Sequence, residues 1–207
     1  MRRRLAASRA RSGFTLMEVM LASALMAVVT VKVHGVMTTA NCANTEATRR
    51  IVLEDKARRV LQQIAVAIMG ANRETLIPEI ASPASMSDVR YQVNLGVENG
   101  EVIWGDPERI ALDEPNGAVF WSDNVGTATE RRVTWTRIAT PFLEGELPNG
   151  MDDNGNGLID EKGLCFEVDR NAVRIRLTLE NVADDGQVLT ETVETTVTCR
   201  NLTTVAE

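Results

Sequence analysis

Gly13-Phe14-Thr15-Leu16-Met17-Glu18 opens an apolar run that continues to Val31, and the chain changes character on both sides of it. Upstream, Met1 to Gly13 carries Arg2, Arg3, Arg4, Arg9 and Arg11 and no acid. Within the eighteen residues from Phe14 to Val31 the only charge is Glu18. A helix of that length rises roughly 27 Å at about 1.5 Å per residue, just enough to cross hydrocarbon. The arginine bias keeps the leader cytoplasmic and sends the C-terminal bulk across, so the expected location is the inner membrane, single-pass, with the C-terminal domain in the periplasm. A secretory signal places its apolar core before a small-residue cleavage site, whereas here the small residue comes first. Nor does Leu5-Ala6-Ala7-Ser8 supply the apolar run that twin-arginine export needs after its arginines.

Glu18 sets a physical problem. A charge near the centre of a span costs on the order of 2.5 to 3.5 kcal/mol, less near its end. Either a cationic amine offsets it, or the side chain sits at headgroup level as an acid favoured by the helix dipole.

The order of basic leader, glycine, Phe-Thr-Leu-x-Glu and apolar span resembles the prepilin leader of type IV pilins and type II secretion pseudopilins. That resemblance implies cleavage by a prepilin peptidase between Gly13 and Phe14 and methylation of the new amino terminus on Phe14. It also implies that Glu18 of one subunit engages the Phe14 amine of the next, fixing register, because any other register strands both charges in lipid. With its long helix and sizeable strand-rich remainder, the chain resembles the J-type minor pseudopilins and W-type minor pilins. The implied partners are other pilin subunits through the N-terminal helix, the peptidase and the inner membrane, and the implied destination is a priming tip complex of a pilus or pseudopilus.

Beyond the span, taken as residues 14–33 with Lys32 at its outer edge, helical character continues over 34–70 without a proline. Leu53, Ala57, Val60, Ile64 and Ala67 recur at steps of four and three and form one apolar stripe, for packing on the chain's own domain or on other subunits' helices. Gly35 is the weakest point of this helix and the place where local melting is expected if packing in a filament demands it. His34 beside it has no metal or catalytic partner in sequence and reads as interfacial.

After Gly70 the composition changes, with Pro78, Pro83 and turn formers, so residues 71–207 are expected to form a β-rich domain. Strands are predicted at 89–95, 101–104, 118–122, 132–138, 164–168, 172–179 and 191–199, with turns at Asn99-Gly100, Asn116-Gly117 and Asp185-Gly186. Trp104, Trp121 and Trp135 fall in them and are assigned to sheet packing. The expected class is α+β, a long N-terminal helix packed on an antiparallel sheet.

The loop 149–161 places oxygen side chains at alternate positions around two glycines, the opening of a calcium loop. With Asp152 first, Asn154, Asn156, the Leu158 carbonyl and Asp160 follow as hard oxygen donors, so calcium is the expected cofactor. The twelfth position is Gly163, not the glutamate of an EF-hand, leaving completion to Asp153, Glu161, Asn149 or a distant acid. The plain alternative is an acidic turn with no ion.

Cys165 and Cys199 lie in strand candidates of the exported part, where a bridge would stabilise by roughly 3 to 4 kcal/mol. Cys42, on the helix, reads as a buried free thiol, with pairing to a neighbouring chain or to one of the other two cysteines as the alternative. The formal charge of −7 becomes −12 when the five leader arginines are removed, which argues against nucleic acid. One histidine at the membrane edge cannot serve a triad in the distal domain, and no phosphate loop or zinc spacing occurs, so no enzymatic activity is expected. The functions left are a structural filament subunit or, alternatively, a membrane-anchored or tip adhesin that binds through its calcium loop.

Overall fold

The computed structural model describes residues 13–77, 84–183 and 186–200, and packing divides the chain into two units, Met1–Thr48 and Arg49–Glu207. The arginine-rich leader up to residue 12, Pro78, Pro83 and Asp185 lie outside the described residues. A single helix, α1 (Leu16–Gly70), supplies the first unit and enters the second. Helices and antiparallel sheets together make the chain α+β.

In the first unit every described residue is exposed, including Val19, Leu25 and Val29. An apolar stretch of this helix is long enough to cross a membrane, with a mean hydropathy of 1.9. Helical surface of this kind is stable only where lipid or other helices cover it. In the single chain the helix is unbroken at Gly35, whose carbonyl accepts from Thr38 Oγ1 at 2.9 Å and Thr39 Oγ1 at 3.0 Å.

The second unit is built on a core between the last turns of α1 and two four-stranded sheets. One sheet orders β1 (Ser85–Met86), β8 (Leu164–Asp169), β9 (Ala172–Val182) and β10 (Val188–Thr198); the other orders β2 (Asp88–Tyr91), β5 (Glu108–Asp113), β6 (Ala118–Asp123) and β7 (Arg131–Thr136). A separate hairpin joins β3 (Asn94–Glu98) to β4 (Glu101–Trp104), turning at Asn99 and Gly100, both with positive φ. Period-two alternation in β9 buries Val173, Ile175, Leu177 and Leu179 completely. Helix residues Leu53, Ala57, Val60, Ile64 and Ile68 share that core.

Three expectations are corrected here. The helical stripe ends on Ile68 rather than Ala67, which is only half-buried, because a period of 3.6 drifts off a fixed four-three alternation. The predicted strand 89–95 is two strands, β2 and β3, belonging to different sheets. The central strand β5 was not predicted at all, because charged residues flank its apolar centre. Arg109 pairs with Asp88 at 2.6 Å, and Glu108 accepts from Tyr91 and Trp121 at 2.8 and 2.7 Å.

From β7 the chain crosses between sheets by a bridge of Ala139 to Leu179, flanked by Thr140 N–H to the Thr178 carbonyl and Glu180 N–H to the Ile138 carbonyl. A second bridge, Phe142 to Lys162, ties the base of the loop that precedes β8. The acidic loop is thus hung from the end of the first sheet.

Candidate functional site

At the amino terminus, Gly13 and Phe14 precede the helix, and Phe14 is 88 % exposed. Glu18 Oε2 accepts from Thr15 N at 2.9 Å and Thr15 Oγ1 at 3.0 Å, while Thr15 Oγ1 accepts from Glu18 N at 3.3 Å. This is a capping box, in which Thr15 and Glu18 satisfy each other's orphan donors. The spacing Thr15-x-x-Glu18 makes it legible in the sequence. In the single chain, then, the glutamate organises its own helix start.

The loop is organised by Asp152. Its Oδ1 accepts from Gly155 N at 2.7 Å and Asn156 N at 3.2 Å, and its Oδ2 from Gly157 N at 2.8 Å. These bonds, that from Gly157 foremost, hold its carboxyl below the ordinary range. Asn154 Oδ1 and Asn156 Oδ1 accept from the N–H two residues on, at 3.0 and 2.8 Å. Both amide groups converge on Glu161 Oε2, Asn154 Nδ2 at 3.1 Å and Asn156 Nδ2 at 2.5 Å. Leu158 is buried.

Asp160 does not join this group. Its carboxylate accepts from Asn149 N and Gly150 N at 3.1 and 3.0 Å, capping that turn. Asp153 accepts from Leu147 N and from the Asn149 amide. The acid that turns inward is Glu161, fully buried, with Oε1 against Arg176 Nη1 and Cys165 Sγ. Arg176 also reaches Glu167 at 3.2 Å and Glu194 at 3.5 Å. A second buried acid, Glu146, accepts from Asn154 N at 3.2 Å through Oε1. Burial raises its pKa, and the charges of Glu161, Asp153 and Asp152 push the same way. Neither Glu146 nor Arg176 was named from sequence, since no loop template reaches that far. Position twelve is glycine for a steric reason: a Cβ on Gly163 would lie 1.8 Å from the Thr140 carbonyl oxygen.

Residues 8–31 match the family described as prokaryotic N-terminal methylation motif. The chain is type IV pilin-like. The match takes in the junction of Gly13 and Phe14 together with Glu18, and the apolar helix that begins at Leu16 is the element such a motif introduces. Neither a curated protein nor a solved structure matches the chain.

In this pilin-like chain the bridge expected between Cys165 and Cys199 is not formed, and register explains why. Cys165 pairs across β9 with Arg176, which pairs with Glu194, and Cys199 lies five residues further on. That is about 17 Å along the strands, against a Cα separation of less than about 7 Å in a disulfide. Both thiols are buried and free, whereas Cys42, expected to be buried, is exposed on α1. Burial, with the charge of Glu161 added, pushes the Cys165 thiol up to about 12, and burial raises Cys199 as well. Trp121 and Trp135 pack against the core as expected, and they also line an open groove with Arg59, Gln62, Gln63 and Val66.

Proposed function

We propose that the chain is a minor subunit of a type IV pilus or type II secretion pseudopilus, cut between Gly13 and Phe14 and assembled through its N-terminal helix in a priming tip complex. The observation that carries this reading is the methylation motif over residues 8–31, in which the exposed apolar stretch that opens the helix carries Glu18 as its one charge. While the chain waits in the inner membrane with its C-terminal domain in the periplasm, the capping box shields Glu18. Docking exchanges the Thr15 contacts for the methylated amine of Phe14 on a neighbour. Because the capping box already satisfies part of the carboxylate, the monomer is stable in lipid and the exchange fixes register.

The test is Glu18→Ala in cells that assemble the filament. Processing and membrane insertion are expected to persist while the variant disappears from sheared or purified filaments. Incorporation at the wild-type level would refute the assembly role.

A further inference from the structure

We infer that the 146–161 loop is a divalent-cation site of the calcium class, closed by Glu146 and Glu161, which complete the oxygen shell that Asp152, Asn154 and Asn156 begin. The argument starts from Glu146. Its side chain is 6 % exposed and held against the loop by the Asn154 N–H, yet Oε2 has no hydrogen-bond partner among the described residues. A buried carboxylate oxygen left unpaired costs the full desolvation of that atom. The charges that bear on it are those of Glu161, Asp153 and Asp152, all carboxylates.

Charge balance points the same way. The cation at the floor of the loop is Arg176, and its fork is divided among Glu161, Glu167 and Glu194. Glu146 and Asp152 have no ion-pair partner among the described residues. The available donors are all oxygens, from carboxylates and from amides whose second lone pair is free to coordinate, which selects calcium or magnesium over softer ions. Flexible side chains from a glycine-rich loop suit the larger and less demanding of the two. Among the described residues no three acidic, histidine or cysteine side chains stand at metal spacing, and an ion must draw the loop inward onto Glu146 and Glu161 to be fully ligated. Asp160 caps the Asn149-Gly150 turn and, unlike Asp152, which accepts from Asn156 N, shares no hydrogen bond with Asn154, Asn156, Glu146 or Glu161 among the described residues, so it stands outside the shell. This inference stands independently of the filament reading.

The experiment is calorimetric titration of the full-length chain in detergent, stripped with chelator, with calcium chloride and separately with magnesium chloride, beside melting curves with chelator. The wild type is expected to bind one calcium with a Kd of about 10⁻⁴ to 10⁻³ M and magnesium more weakly. Glu146→Gln keeps the acceptor for Asn154 N and is expected to melt no lower than wild type in chelator while losing more than about tenfold in calcium affinity. Asp160→Asn is expected to bind as the wild type does. No calcium binding by the wild type, or undiminished binding by Glu146→Gln, overturns the site; so does loss in Asp160→Asn with Glu146→Gln unaffected.

Discussion

Gly163 shows how one atom decides a loop. Its missing Cβ is where the Thr140 backbone passes, and backbone at 1.8 Å cannot step aside as a flexible side chain would. Gly163→Ala is therefore expected to cost more than about 3 kcal/mol, read as a large fall in melting temperature of the purified chain. Glu161 and Arg176 form a buried pair in which removing one partner strands the other. Arg176→Met is expected to destabilise by roughly 3 to 5 kcal/mol, and the double variant Glu161→Gln/Arg176→Met to recover much of it, in denaturant unfolding. Equal losses in the single and double variants would mean that the pair is not coupled. The capping box, the alternation in β9 and the oxygen spacing of the loop were all legible because each involves near neighbours in sequence. Glu146 and Arg176 were not, since what brings them to the loop is the bridge at its base and the pairing of β8 with β9.

At the scale of elements, the last turns of α1 are part of the β domain's core, which places the packing boundary at Arg49 rather than where the helix ends. Ile64 is fully buried there, and two positions on Val66 is 58 % exposed. Ile64→Ala is expected to lose about 2 to 5 kcal/mol and Val66→Ala much less, as thermal shifts of the two variants would show. Strand register likewise governs the cysteines. In the folded chain a thiol-alkylating reagent is expected to modify Cys42 and to spare Cys165 and Cys199 until denaturant is added, as mass spectrometry of labelled peptides can check. Because the Cys165 thiol is raised in the fold, it contributes stability below the ordinary thiol pKa of about 8.5 that is lost as pH climbs toward 12. Replacing it with alanine is expected to flatten that alkaline decline in melting temperature, and an unchanged slope would discount the effect. Sequence proximity could not reveal the separation of Cys165 from Cys199, nor could composition reveal β5, whose charged ends find their partners on β2, β6 and β7.

For the whole molecule, two chemistries are joined on one helix: an exposed apolar stretch up to Val31 whose one carboxylate is Glu18, and last turns that close a β-rich core. The first was readable as a motif because it depends on order along the chain, and the second needed the sheets in place. The filament reading presupposes that the arginine leader is removed. The direct measurement is mass spectrometry of the amino-terminal peptide from membrane-extracted protein, in cells with an active prepilin peptidase. A peptide beginning at N-methylated Phe14 is the expected result. A chain still carrying Met1 to Gly13 in those cells would contradict the account.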